Sequence, residues 1–407
     1  MTGAAAVPIA GRQRRDQTPD GERDLAGSER ELRRRAGVVA DELLAWPPEQ
    51  VATRAVIEKL GAEGLIAARW DRPDDLGGIA LVEELASRGL SSTAVVVSLH
   101  VDSVLAMLRQ FARPELRNLV DAALTGTTVG CVAASEPGGG SDLNGAETTA
   151  SATSDGWEIA GDKKFVTLGR QADFAIVLAR LSDRPRPGGL GAFVVPRDGM
   201  EPVKTHRLVA GSDLETSWMR VHATVPSHHL LGRPGLGLAV VNWGLTKERL
   251  AVAALVVGAC RLATTLAITH AYERRQFGSR LFDHQAIRFR LAELHTQLQM
   301  LSSELRYLGG QRAAASRRIA GLKVTAARFG ERCLSECLQV FGGDGYVDDA
   351  TPLGRLWRDI RLARIGGGTD EVMWEIVAGG LKADLDVYRK HVVTQTNGTH
   401  DQRRTGD

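Results

Sequence analysis

Glu248 stands between two cations in Gly244-Leu245-Thr246-Lys247-Glu248-Arg249-Leu250, where the longest apolar helical run of the chain begins. A carboxylate held out of water at such a place is a candidate proton acceptor. An exposed, non-catalytic glutamate in a first helical turn flanked by Lys and Arg is the alternative. A second stretch, Ser135-Glu136-Pro137-Gly138-Gly139-Gly140-Ser141-Asp142, sets three successive glycines and two hydroxyls after an apolar strand. Its amides could face an anion, and its composition also suits a plain turn. It matches neither the phosphate loop nor the dinucleotide fingerprint. Lys164-Phe165-Val166-Thr167 ends a β-type run, with an aromatic and a hydroxyl sharing a strand face. Glu273-Arg274-Arg275-Gln276-Phe277-Gly278, followed by His284-Gln285, has two arginines at a helix end. They suit a pyrophosphate or the helix dipole equally. Gln339-Val340-Phe341-Gly342-Gly343 reads as a helix closed by glycines. Ile365-Gly366-Gly367-Gly368-Thr369-Asp370-Glu371 precedes a short helix, and its amides could hold an oxygen or a phosphate. A helix start capped by Thr369 or Asp370 is the alternative there.

The elements that must position these residues follow from periodicity. Residues 29–126 read as helical, through Glu31–Leu44, Val51–Ile66, Ile79–Ala86 and Ser98–Phe111. From residue 127 to 236 the period becomes that of strands: Val129–Ala134, Ala150–Thr153, Trp157–Ala160, Phe174–Ala179, Gly191–Val195 and Trp218–His222. Ser154-Asp155-Gly156 is a hairpin signal. No helical repeats intervene, so an antiparallel sheet or barrel is expected in place of a parallel one. Residues 237–390 are helical again. Ile287, Leu291, Leu294, Leu298, Leu301 and Leu305 form a bundle seam, and Ile319, Leu322, Ala326, Phe329 and Cys333 form another. The fold class is therefore α+β multidomain: an N-terminal helical domain, a middle antiparallel, barrel-like β-domain, and a C-terminal four-helix bundle. Residues 1–28 and 391–407 read as disordered tails.

With 407 residues, 43% hydrophobic and 25% charged, the chain has the composition of a soluble globular protein. A formal net charge of +2 offers no field for nucleic acid or membrane. Four cysteines and no apolar leader point to a reducing cytoplasm. Cys333 and Cys337 lie one helical turn apart, but no neighbouring His or Cys completes a metal set, so buried thiols are expected.

The order and spacing of these stretches resemble the acyl-CoA dehydrogenase family of flavoproteins, over roughly residues 50–385. The family's Thr-Glu-Pro-Gly-Ala-Gly-Ser-Asp flavin loop is matched by Ser135–Asp142, and its Trp-Ile-Thr by Phe165-Val166-Thr167. Its Arg-Lys-Thr-Phe-Gly segment, which reaches the flavin of a neighbouring subunit, is matched by Arg274–Gly278. His284-Gln285 and Gln339–Gly343 match its His-Gln pair and its Gln-x-x-Gly-Gly turn. The resemblance implies FAD, held by Ser135, Gly140, Ser141, Phe165, Val166, Thr167, Arg274, Gln276, Phe277, His284, Gln285, Gln339, Gly342, Gly343, Thr369 and Glu371. It implies an acyl-thioester substrate, touched by Ser141, Thr246, Arg249, Gly367 and Gly368, and no metal. It also implies a homotetramer and an electron-transfer flavoprotein as partner.

In many relatives the catalytic base is a Glu just before Gly-Thr in the last motif; here that position is Gly367. Members resembling isovaleryl-CoA and long-chain acyl-CoA dehydrogenases carry it in a Glu-Arg-Leu segment, matched by Glu248-Arg249-Leu250. Glu248 is accordingly the expected base for the α-proton, with the β-hydride passing to flavin N5, near Thr167. The thioester oxygen would be held by a ribityl hydroxyl and the N–H of residue 367, which a glycine retains. Arg249, about 100° around the helix from Glu248, is expected to hold a neighbouring loop or helix. Asp74-Asp75-Leu76-Gly77-Gly78 stands where the family has Tyr-Gly-Gly at the substrate mouth, which leaves coenzyme A and a carrier protein both open as the acyl carrier. Two rival readings remain. One is a monooxygenase or oxidase on the same fold, which Glu248 disfavours. The other is a non-catalytic flavoprotein or nucleic-acid-associated relative, whose best feature is the row Arg355, Arg358, Arg361 and Arg364.

Overall fold

Three regions follow one another along the chain: helices, a sheet, and a helical bundle. The computed structural model describes residues 20–392 apart from 48, 185–188, 211–213 and 312–313. Most of the two expected tails, 1–19 and 393–407, therefore lies outside the described residues. Helix α1 (Asp20–Leu43) starts inside the segment read as a tail to residue 28. Its apolar stripe Leu32, Ala36, Val39, Ala40 and Leu43 is buried. Once that stripe is anchored, the helix-forming Glu/Arg/Leu run before it extends the helix outward at little cost. Glu29 fixes the extension, accepting from Arg33 Nε at 3.0 Å and from Arg306 Nη1 at 2.8 Å.

Helices α2 (Arg54–Ala62), α3 (Leu65–Trp70), α4 (Leu76–Ala86) and α5 (Ser91–Val97) come next. A π-helical turn, Ser98–Val104, joins α5 to α6 (Leu105–Phe111), and α7 (Arg117–Leu124) closes the region.

The sheet comprises β1 (Gly130–Ala133), β2 (Thr149–Ala152), β3 (Gly156–Thr167), β4 (Phe174–Leu181), β5 (Leu190–Pro196), β6 (Met200–Thr205), β7 (Thr216–Pro226) and β8 (Leu230–Leu231). Its order is β6-β7-β3-β2-β4-β5-β8, with β1 also on β4. Most pairs are antiparallel, including the expected β2–β3 hairpin, where Ala152 faces Trp157. Two pairs, β1–β4 and β2–β4, are parallel, against the antiparallel expectation. The chain passes through the β2–β3 hairpin between β1 and β4, so β1 and β2 reach β4 in parallel without a helical crossover. β6 escaped the sequence reading because it is a polar edge strand: only Met200 is buried, and Pro202 sits at a register shift.

The bundle has three long helices, α8 (Gly237–Glu273), α9 (Gln285–Gly309) and α10 (Ser316–Phe341). The shorter α11 (Leu353–Asp359) and α12 (Asp370–Ala378) pack on α10, and α13 (Leu385–His391) follows. The core of α8 is apolar on every side because α4, α9 and α10 surround it. Ser91–Phe111 and Gly237–Glu273 are apolar and long enough to cross a bilayer, but their most apolar windows are 89% and 72% buried in protein. Leu291, Leu294, Leu298 and Leu305 of the α9 seam are buried, as is every seam residue expected on α10. All four cysteines are buried and unpaired. Each arginine of the 355–364 row is engaged within the protein: Arg355 with Gly89 O, Arg358 with Asp348, and Arg361 and Arg364 with Glu331.

Candidate active site

Glu248 lies at the start of the fourth turn of α8. One turn earlier, Gly244 lets this helix press onto the π-helical turn: a Cβ there would sit 2.9 Å from Ser103 O and from Met107 Cγ. This close approach brings Ser103 and Asp102 beside the carboxylate. Burial pushes the Glu248 pKa up, and the charge of Asp102 adds to the rise. Ser103, Arg249 and Lys323 oppose it. Ser103 Oγ is buried and completes no hydrogen bond, yet it is near enough to favour the ionised form.

The two cations flanking Glu248 in sequence do not clasp it. Lys247 Nζ reaches Asp75 Oδ2 at 2.7 Å, and Arg249 Nε donates to Gly367 O at 2.8 Å. Asp75 in turn accepts from Arg69, which also holds Asp102 at 3.0 Å. The chain Lys247–Asp75–Arg69–Asp102, buried but for Lys247, thus ties the loop before α4 to the π-helical turn and α8. Thr246 Oγ1 donates to its own helix, at Asn242 O.

Opposite Glu248 lies the glycine loop before α12. Gly367 has φ +66° and Gly368 φ +109°, backbone that side chains rarely adopt. A Cβ on Gly367 would meet Arg249 Cγ at 3.5 Å and Glu248 Oε1 at 3.8 Å. A side chain at 367 would therefore enter the space that Glu248 already fills. Two cations hold the loop by its carbonyls. Arg249 takes that of Gly367, and Lys323 Nζ takes that of Gly368 at 2.6 Å. In a trans peptide the N–H points opposite to the C=O. The clamps therefore aim the N–H groups of Gly368 and Thr369 away from the two cations. The amides of Gly367 and Gly368 find no acceptor among the described residues. Thr369 Oγ1 caps α12 through Val372 N, and Glu371 is exposed.

Lys323 was not foreseen. It is fully buried on α10, and burial lowers its pKa to about 8, with Asp370 and Glu248 opposing the drop. The signal was a lysine one helical turn from Ile319, inside the apolar stripe of that helix. Asp102 was visible in the same way, as a lone acid in an apolar run. Glu136 and Lys163 were missed as well. The buried Lys163 Nζ bonds Glu136 Oε1 at 2.7 Å, while Glu136 also accepts from Glu147 N and Thr148 N. This pair braces the Ser135–Asp142 loop.

That loop and the Phe165–Thr167 segment meet, since Lys164 N donates to Ser135 O at 2.9 Å. Gly140 packs over Ser135, and Ser141 is exposed. The amides of Gly138, Gly140 and Ser141 have no protein acceptor among the described residues. Phe165 has φ +60° and is 58% exposed, at a register shift between Lys163 and Val166. An exposed aromatic in this strained conformation costs about 1–2 kcal/mol. The shift breaks the regular alternation that would have put Phe165 and Thr167 on one face. Val166 turns its side chain into the core, leaving only its backbone for a ligand. Thr167 Oγ1 has one long contact, 3.4 Å to Thr216 Oγ1. Free amides, a hydroxyl with only one long contact and an exposed aromatic flanked by His206 and Lys164 suit a flavin with its phosphates.

The remaining predicted cofactor residues gather at the far end of α8. Arg274 and Glu248 are separated by roughly 39 Å of helix at 1.5 Å per residue. Arg275–Gln276 and Ser279–Arg280 form a two-stranded ribbon, with Phe277 95% exposed at its tip and φ +52°. His284 braces this ribbon through Ser279 Oγ at 3.1 Å, and Gln285 is exposed. His270 stacks on Phe341 at 4.1 Å between ring centroids, joining this end to the exposed Gln339, Gly342 and Gly343.

Comparison with known proteins matches residues 131–223 to the model described as acyl-CoA dehydrogenase, middle domain, and residues 235–382 to that described as acyl-CoA dehydrogenase, C-terminal domain. The acyl-(acyl-carrier-protein) dehydrogenase MbtN of Mycobacterium sp. (strain MCS) is 41% identical over 88% of this chain and 95% of its own length. The mitochondrial short-chain specific acyl-CoA dehydrogenase of Bos taurus is 31% identical over 80% of this chain and 82% of its own. The solved structure of butyryl-CoA dehydrogenase from Megasphaera elsdenii superposes with a TM-score of 0.80 at 25% identity, covering 86% of this chain and 97% of that one.

Proposed function

Because this chain belongs to the acyl-CoA dehydrogenase family, we propose that Glu248 is the base of its reaction and that its acyl group arrives on a carrier protein. The protein is an FAD-dependent oxidoreductase that desaturates the Cα–Cβ bond of an acyl thioester. FAD, when bound, takes up the hydride from Cβ.

The observation that carries Glu248 is its overlap with position 367. A side chain at Gly367 would start 3.8 Å from Glu248 Oε1, so one carboxylate space is reached from either element. Here only α8 supplies the carboxylate. Burial raises the basicity of Glu248, which brings it closer to the weak acidity of a thioester α-proton. The N–H groups of Gly367 and Gly368 are free and lie on a loop clamped by Arg249 and Lys323. We assign them to the thioester oxygen, where a fixed donor strengthens as enolate charge develops. Arg249 and Lys323 are positioning residues that keep this loop in shape. Ser135, Gly140, Ser141, Phe165 and Thr167 are assigned to FAD on the sheet side.

The distal cluster Arg274–Gly278, Gln285 and Gln339–Gly343 is assigned to the FAD of a second copy of the chain. The separation of roughly 39 Å along α8 supports a homo-oligomer, expected as a tetramer. The carrier assignment is supported by the higher identity to an acyl-carrier-protein enzyme than to an acyl-CoA one. Electrons are expected to leave through an electron-transfer flavoprotein. Four unpaired, buried thiols suit a cytoplasmic setting.

The direct test is anaerobic. Glu248→Gln holoenzyme should keep its flavin and bind thioester, while substrate no longer bleaches the flavin. Bleaching at the wild-type rate would remove Glu248 from the role.

A further inference from the structure

The first turns of α8 leave an unusual face uncovered. Leu236 and Trp243 are 45% and 41% exposed, and Ala239 between them is exposed as well. Positions 236, 239, 243 and 246 share one side of a helix, so this apolar ridge runs toward Thr246, two residues before Glu248. Phe111 packs edge-on against Trp243 at 6.3 Å, joining the end of α6 to the ridge. Gly232 N donates to Phe111 O at 3.0 Å, and Arg184 Nη1 reaches Pro234 O at 3.3 Å. These contacts gather four exposed arginines around the ridge: Arg109, Arg113, Arg184 and Arg233. None has an acidic partner within 4.0 Å among the described residues, although Glu115 and Asp183 are close by in sequence; Arg109 lies over the Trp70 ring at 5.1 Å, which leaves its charge unneutralised. In the bundle Arg290, Arg318, Arg332 and Arg361 are exposed and ion-paired, whereas Arg274, Arg275, Arg317, Arg355 and Arg389 are exposed without an ion pair among the described residues.

An apolar centre with a rim of unpaired cations complements a partner with an acidic face and a few exposed apolar side chains. The distance along the helix also fits. From Leu236 to Glu248 is about 18 Å of α8. A phosphopantetheine arm has a main chain comparable to about five extended residues, ~17 Å. We propose that this face, Leu236–Trp243 with Arg109, Arg113, Arg184 and Arg233, docks the acidic acyl carrier protein and aims its arm along α8 at Glu248. The proposal rests on the reading of a carrier-bound substrate and adds where that carrier sits.

The test compares holoenzyme with the charge-reversal variant Arg109→Glu/Arg113→Glu/Arg233→Glu on two substrates bearing the same acyl group. One is an acyl carrier protein thioester and the other the acyl-pantetheine thioester. The variant is expected to lose about tenfold or more in kcat/KM on the carrier substrate, mainly through KM, as for rim charges that steer association. On acyl-pantetheine it should stay within about twofold. Added salt should lower wild-type kcat/KM for the carrier substrate and leave acyl-pantetheine unchanged. Equal loss on both substrates would make the arginines structural and overturn the proposal. No loss on either would move the docking face elsewhere. A wild-type enzyme that turns over acyl-CoA but not the carrier thioester would fail the underlying reading itself, a result distinct from the other two.

Discussion

If Glu248 and position 367 open onto one space, the base can be relocated. Glu248→Gln alone removes a general base, for which a loss of about 10²- to 10⁴-fold in the rate of flavin reduction is expected. That is about 3–5 kcal/mol of barrier. Gly367→Glu alone should not help. It would put two carboxylates in one space, and at a separation of about 4 Å like charges repel by about 4 kcal/mol at an effective dielectric of 20. Such repulsion keeps one of the two protonated at neutral pH, at about 1.4 kcal/mol per pKa unit. The double variant Glu248→Ala/Gly367→Glu removes that conflict. Its carboxylate starts from a Cβ 3.8 Å from the present Glu248 Oε1 and 3.5 Å from Arg249 Cγ, ordinary contact distances. It carries the strain of a side chain at φ +66°, about 1–2 kcal/mol of stability. Gly367→Ala, with Glu248 intact, measures that strain alone. The assay is anaerobic stopped-flow bleaching by a thioester at matched flavin content. The double variant should recover at least tenfold over Glu248→Ala. If it recovers nothing while Gly367→Ala stays folded and active, the two positions do not share a space, and the main support for Glu248 is lost.

Flavin reduction should rise with pH as Glu248 ionises, along a limb above the ordinary carboxylate value of 4.5 because burial raises its pKa. By linkage, a raised folded pKa contributes stability that is full below 4.5 and lost as pH rises through the folded value. Glu248→Gln holoenzyme should therefore melt above wild type near neutrality, with the gap closing in acid; a gap that widens in acid would contradict the burial argument. Lys323→Met takes a charged donor from Gly368 O and should cost about 1.5–3 kcal/mol in stability. It also removes a cation that lowers the Glu248 pKa, so the acid limb should move to higher pH, whereas an unmoved limb would leave Lys323 a purely structural role. Arg274→Ala and Phe277→Gly alter exposed residues and should barely change the stability of an isolated chain, by about 0.5 kcal/mol at most. If that ribbon meets another copy, both should lower retained FAD and native mass on light scattering; unchanged values would place it at a free surface.

Much of this protein was legible in one dimension. The seams of α9 and α10 repeat at helical spacing because each buries one stripe. The β2–β3 hairpin was announced by Ser154-Asp155-Gly156, which imposes a turn locally. The loops assigned to FAD could be recognised from the order and spacing of several motifs, because glycines and hydroxyls at fixed spacing are local chemistry. The edge strand β6 and the parallel pairs on β4 were not legible, since an edge needs no apolar alternation and the direction of pairing depends on which distant segments meet.

At the site, the order of motifs determined the family and the cofactor, and it named the two positions at which the base is expected. Only the tertiary structure decided what surrounds Glu248. Arg249 turns to Gly367, Lys323 reaches Gly368 from another helix, and Asp102 arrives on a π-helical turn. It also divided the expected cofactor residues between the two ends of α8. Basicity depends on what is buried with a carboxylate, and that is set by contacts between segments more than a hundred residues apart in the chain.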